Sequence, residues 1–209
     1  MRVIYLHGFA SGPRSAKASA VKARLDREGI PCVVPDLNVP SFEHLRVSQA
    51  IETVAGLVDG PTVVGGSSLG GLIALHVAAR CPEVKRLVLL CPALAAGERW
   101  SRALGVGEVE RWKREGTRKF FNFVTNAERP IDYAFLEDLI ALPELPAPRV
   151  PLRLIHGRRD ATVPLALSEA FARAYPGLVT LTVVDDDHGL LSHVELVNEA
   201  ILEASRAGT

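Results

Sequence analysis

No charge of one sign prevails in this chain of 209 residues: 24 Lys and Arg stand against 24 Asp and Glu, for a formal net charge of zero. Lys and Arg never run more than two together, so the sequence has neither the basic footprint of a nucleic-acid binder nor a patch for anionic lipid. Long apolar runs are missing too, none approaching the ~20 residues that cross a bilayer. The N-terminus enters Val3-Ile4-Tyr5-Leu6 with no apolar signal core or small-residue cleavage site, so a cytoplasmic protein without membrane or nucleic-acid partners is expected. Cysteine is scarce. Cys32, Cys81 and Cys91 are odd in number and lack CxxC spacing, which argues against a disulfide framework or a zinc cluster. What remains, 48% hydrophobic and 23% charged, is the composition of one globular domain with enough chain for a sizeable core.

Short apolar runs bounded by turn residues recur at 3–6, 32–34, 62–64, 87–90, 152–155 and 179–184, the pattern of strands buried on both faces. Helical patterns fill 15–28, 44–58, 69–80, 165–174 and 191–204. This alternation predicts an α/β fold, a doubly wound, mostly parallel sheet of about six strands. Residues 95–148 break it: they have helical composition, no convincing strand, and seven of the twelve aromatics (Trp100, Trp112, Phe120, Phe121, Phe123, Tyr133, Phe135). A single domain, 1–209, with an inserted helical cap is the expectation. The cap returns through a proline-rich stretch, 142–148, which is stiff because proline fixes φ and biases its predecessor away from helix.

The chemistry gathers where predicted strands end. Behind Thr62-Val63-Val64 stands Gly66-Ser67-Ser68-Leu69-Gly70, followed by an apolar helical run. This is the G-x-S-x-G elbow in its strand-to-helix setting, and it selects Ser68, not Ser67, as candidate nucleophile. A phosphate-cradling loop fits poorly, since neither G-x-x-x-x-G-K-[ST] nor G-x-G-x-x-G is present. A serine hydroxyl needs a base, itself oriented by an acid. Strand 152–155 leads into Asp160, and strand 179–184 into Asp185-Asp186-Asp187-His188. The order Ser68, Asp160, His188 is that of an α/β-hydrolase triad, with Asp185 or Asp187 as fallback acids. Metal is not expected in the acidic run, because consecutive strand-end residues point to opposite faces.

The first strand ends in His7-Gly8-Phe9. An oxyanion hole draws one amide from the residue after the nucleophile, here Leu69, and one from this loop, here Phe9. His7, just before Gly8, reads as a loop brace. His44, His76, His156 and His193 have no predicted nucleophile or acid beside them and read as structural or solvent-facing.

The elbow 66–70, the His7-Gly8-Phe9 turn, the His156-Gly157-x-x-Asp160-x-x-Val163-Pro164 stretch and His188 together resemble the α/β-hydrolase superfamily over nearly the whole chain. Residues 6–18 and 66–71 are similar to the small bacterial YqiA-like esterases. The resemblance implies a serine esterase acting on small acyl esters or thioesters without cofactor. The same fold also hosts C–C hydrolysis and lyase steps, and a non-catalytic binding module would show a broken triad or missing glycines. The cap aromatics predict a mostly apolar pocket for an uncharged, short acyl group, the alternative being that they only form the cap's own core.

Overall fold

The structure is a computed structural model describing residues 1–143 and 145–207. Six strands, β1 (Arg2–Leu6), β2 (Cys32–Val33), β3 (Thr62–Ser67), β4 (Val84–Leu90), β7 (Leu152–Gly157) and β8 (Val179–Val184), form one sheet in the order β2-β1-β3-β4-β7-β8. Every neighbouring pair in it is parallel. Because side chains alternate along a strand, the same apolar runs supply two cores. Ile4, Leu6, Val64, Leu87, Leu89 and Leu154 pack on one face with α2 (Val47–Ala55) and α3 (Leu69–Arg80). Val3, Tyr5, Val63, Val88, Leu90 and Ile155 pack on the other with α1 (Ala16–Arg27) and α8 (Val194–Arg206). The seventh helix, α7 (Leu165–Ala174), has the expected bounds. No helix among the described residues is long and apolar enough to cross a membrane.

The predicted helix at 44–58 is shorter than expected, starting at Val47. Arg46 is extended at φ −129° and its amide donates to the Val39 carbonyl, while the His44 ring bonds Asp132 at 2.6 Å. Contacts with the loop before it and with the inserted segment thus outweigh helical pairing there.

The inserted segment needs a larger correction: it is not all helical. It runs α4 (Ala96–Leu104), α5 (Val106–Glu115), an antiparallel hairpin of β5 (Thr117–Asn122) and β6 (Ala127–Asp132), then α6 (Ala134–Ile140). Gly116, at φ +77°, ends α5 in the left-handed region glycine tolerates. The Asn122 carboxamide oxygen accepts from the Val124 and Thr125 amides and closes the hairpin turn. Pro130 hides the second strand from sequence, yet a two-stranded ribbon has only edges, where a missing N–H is tolerated. Trp112, Ile131, Phe135 and Leu136 are fully buried and continuous with the core beneath α2 and α3, and the Trp112 indole donates to the Ile131 carbonyl at 2.9 Å. Of the proline-rich return, Glu144 lies outside the described residues.

Candidate active site

Chain order departs from β1 toward β2 on one side and toward β4 on the other, so the carboxyl edge near β1 and β3 is the switch point where open α/β sheets bind ligands. Ser68 stands there between β3 and α3 with φ +53° and ψ −115°, a strained conformation for a residue with a side chain. Its neighbours enforce the bend. The Ser68 amide donates to the Leu90 carbonyl at 2.9 Å, and its carbonyl accepts from Gly71 and Ala93. A Cβ on Gly66 would lie 2.4 Å from the Gly70 carbonyl oxygen, and one on Gly70 would lie 2.4 Å from the Leu6 carbonyl oxygen. Neither position admits a side chain, which explains the flanking glycines. Ser68 is half-buried, whereas Ser67 is buried at 4% exposure.

At the same sheet edge, His188 Nδ1 lies 2.6 Å from Asp160 Oδ2. The other Asp160 oxygen accepts from the Thr162 and Val163 amides at 2.7 and 2.8 Å. Burial alone would raise this carboxyl's pKa, but hydrogen bonds from His156, His188 and the Val163 amide together outweigh it and hold the group well below the usual carboxylate range. The fallback acids are engaged elsewhere: Asp185 pairs with Arg159, and Asp187 accepts from the Gly189 amide. Gly157 lets the His188 loop close on β7, since a Cβ there would meet the Asp187 carbonyl at 2.4 Å. Ser68 and His188 line the same cleft, with no hydrogen bond between them among the described residues; sites of this kind commonly tighten only once substrate is bound.

Three histidines without an expected acid neighbour have one. His44 bonds Asp132, His193 bonds Asp186 at 3.0 Å, and His156 Nε2 lies 3.2 Å from Asp160 Oδ2. The reason is tertiary: these pairs are set by loop closure, not by sequence adjacency. Fully buried His156 also meets the Val163 carbonyl through Nε2 at 2.9 Å and the Ser168 hydroxyl through Nδ1 at 2.7 Å. Two acceptors at Nε2 place the proton there, so His156 buttresses Asp160 from behind. Cys91, His156 and Asp160 have converging ligand atoms, but burial pushes the Cys91 thiol up to about 12 and the His156 nitrogens are already hydrogen-bonded. That donor set is poorly suited to a metal, which needs a thiolate and a free imidazole lone pair.

His7 braces the loop after β1. Its Nε2 accepts from the Leu37 amide at 3.0 Å, so Nδ1 carries the proton and donates to the Gly8 carbonyl at 2.9 Å. Burial pushes this imidazole down, against the opposing pull of the Gly8 carbonyl and Asp36. The Phe123 amide, at the tip of the hairpin, donates to the Ala10 carbonyl. Gly8 packs beneath the nucleophile, a Cβ there lying 3.6 Å from Ser68 Cβ, and Phe9 and Leu69 both line the cleft. The cleft holds about 710 Å³. Trp100, Phe120 and Phe123 line it, while Trp112 and Phe135 are core and Phe121 is exposed, so the cap aromatics divide between the two expected roles. Lys17, Arg99 and Ser168 are features of this site that the sequence did not mark, since each joins it only through tertiary contact, and His156, read as structural or solvent-facing, is structural here in support of Asp160.

A parallel sheet carrying a strained serine elbow, with an acid and a histidine beyond its later strands, defines the α/β-hydrolase class. More particularly, the chain belongs to UPF0227, an uncharacterised protein family, whose model matches residues 2–202. It is 31% identical over 191 residues to a pimeloyl-[acyl-carrier protein] methyl ester esterase of Stenotrophomonas maltophilia, covering 75% of this chain and 73% of that one. It is 24% identical over 178 residues to the human mitochondrial palmitoyl-protein thioesterase ABHD10, covering 78% and 58%. A Xanthomonas campestris structure described as a hydrolase of the alpha/beta superfamily aligns with TM-score 0.66 and 25% identity over 97% and 96% of the two chains. Mouse alpha/beta hydrolase domain-containing protein 10 has the same fold, with TM-score 0.77 and 23% identity over 97% and 88%. The Stenotrophomonas and human relatives are named as an esterase and a thioesterase, and with the shared fold they support hydrolysis of such bonds by this chain.

Proposed function

We propose that the chain is a single-domain serine esterase, with residues 95–148 as its cap, that cleaves small acyl esters or thioesters through a covalent acyl-enzyme. The observation that carries this is the strained φ of Ser68 at the elbow, on the same sheet edge as the 2.6 Å Asp160–His188 pair. Ser68 Oγ attacks the acyl carbonyl as His188 Nε2 takes its proton. The Phe9 and Leu69 amides receive the oxyanion, and His188 then protonates the leaving group. Water attacks the acyl-enzyme with His188 again as base, releasing the acid and restoring Ser68. Asp160 keeps the proton of His188 on Nδ1 so that Nε2 is free to act. No cofactor enters this scheme. The three free thiols suit a reducing, cytoplasmic setting, and balanced charge suits a small-molecule substrate better than nucleic acid.

A fluorophosphonate tests the assignment: mass spectrometry is expected to find one adduct, on Ser68, and an unlabelled protein would overturn it. The cleft walls set a second expectation. Each buried methylene gains about 0.8 kcal/mol and each one left in water gains little, so kcat/KM is expected to rise over the first few acyl carbons and then level. A profile still climbing into long chains would show a lipid-sized tunnel instead.

A further inference from the structure

The lining of the cleft carries two cationic side chains, Lys17 and Arg99, and, among the described residues, no Asp or Glu, in a chain whose charges otherwise balance. Lys17, in the first turn of α1, is half-buried and makes no hydrogen bond or ion pair among the described residues. Of the acidic groups whose charge could reach it, the Cys91 thiol is kept neutral by burial, and the carboxylates are committed elsewhere: Asp160 to His156 and His188, Asp186 to His193 and the Ser192 amide, and Asp187 to the Gly189 amide. Arg99 donates to the Thr162 carbonyl and forms no ion pair among the described residues, feeling Asp160 only as a charge at longer range, which leaves most of its five N–H donors uncommitted. A third polar group is also unpaired. Tyr5 is fully buried, lines the cleft and shares the α1 face of the sheet, and its hydroxyl has no hydrogen-bond partner among the described residues.

Desolvated donors without acceptors are costly, and a protein keeps them where a ligand supplies the acceptor. Burial pushes the Lys17 ammonium down from the usual lysine range, and an anion beside it would offset that cost. We propose that the substrate carries a carboxylate or phosphate in addition to its scissile ester, and that Lys17 and Arg99, assisted by the Tyr5 hydroxyl, receive it while Trp100 and Phe120 hold the apolar remainder. This rests on the esterase reading and replaces the expectation of a wholly uncharged acyl group: the chain between ester and anion is apolar, its end is not. The anion can belong to the acyl part or to the alcohol part.

Two matched ester pairs decide. The first is mono-para-nitrophenyl adipate against its methyl-capped form, with the charge on the acyl side. The second is the butyrate ester of para-hydroxyphenylacetate against that of its methyl ester, with the charge on the leaving group. At low salt the anionic member of one pair is expected to have roughly tenfold higher kcat/KM, carried by KM, and added salt should shrink the preference. Lys17→Met should bring the ratio toward one, and Lys17→Arg should keep it. The ratio within a pair is its own control for general damage by a substitution. A ratio at or below one in both pairs, or a preference that survives Lys17→Met, would overturn the subsite while leaving the esterase intact, provided Ser68 still hydrolyses the neutral esters. If none of the four esters is turned over, calorimetric titration of the same esters onto Ser68→Ala reads the subsite without catalysis. Tighter anion binding there would uphold the subsite and sink the hydrolase, and equal binding would sink the subsite.

Discussion

Ser68→Ala is expected to lower ester hydrolysis by about 10⁴-fold or more, while Ser67→Ala keeps the fold and much of the rate. The two serines are adjacent, but only one occupies the tip of the turn. Both serines line the cleft, but Ser67 ends β3 and is buried, whereas Ser68 is held at φ +53° and is only half-buried. The effect should fall on kcat, because the hydroxyl forms its bond to carbon in the transition state and contributes little to holding the substrate beforehand. Steady-state kinetics of both variants on one ester checks this, and equal losses at the two positions would remove Ser68 from its role.

His188→Ala should cost nearly as much as Ser68→Ala, and Asp160→Asn on the order of 10³ to 10⁴, since an imidazole in the wrong tautomer cannot accept the serine proton. If Asp185→Asn or Asp187→Asn proved more damaging than Asp160→Asn, the acid would have been misassigned. Asp160 should also show itself in stability. Its carboxyl is held below its unfolded value by the hydrogen bonds of His156, His188 and the Val163 amide. A group with a depressed native pKa stabilises the fold fully above the unfolded value, and that contribution is lost as pH falls through the native one. The stability gap between wild type and Asp160→Asn should therefore persist from neutral pH down to roughly pH 4, then narrow at more acidic pH. Urea unfolding at a series of pH values measures it, and a gap that closed near neutrality would contradict the geometry.

What could be read from sequence was whatever repeats along the chain. Buried parallel strands are continuous apolar runs, so all six strands of the main sheet could be located, and Ser68, Asp160 and His188 each lie within a few residues of a strand end. The hairpin of β5 and β6 escaped because the alternating exposure of β5 is not matched by residue type, with Arg118 on the covered face and Phe121 on the exposed one, and because β6 contains charged side chains and Pro130. Periodicity has little to register in a ribbon with one half-covered face. The support behind Asp160 escaped for another reason: Ser168, His156 and Asp160 meet only because α7 folds back on the β7 loop. Lys17 was equally silent, because a lysine in the first turn of a helix looks solvated until the cleft around it is known.

Both tryptophans of the chain, Trp100 and Trp112, lie in the inserted segment, and they occupy opposite environments there. Trp112 is sealed in the core, whereas Trp100 forms a wall of the cleft and sits edge-on to Phe9, 4.8 Å between ring centroids. Tryptophan fluorescence of this protein therefore originates wholly in the inserted segment. Emission from Trp100 is placed to shift when a ligand displaces water beside it, and emission from Trp112 to shift only when the segment itself loosens from the core beneath. A tryptophan signal that in most proteins averages over the whole molecule is here confined to the segment that walls the cleft.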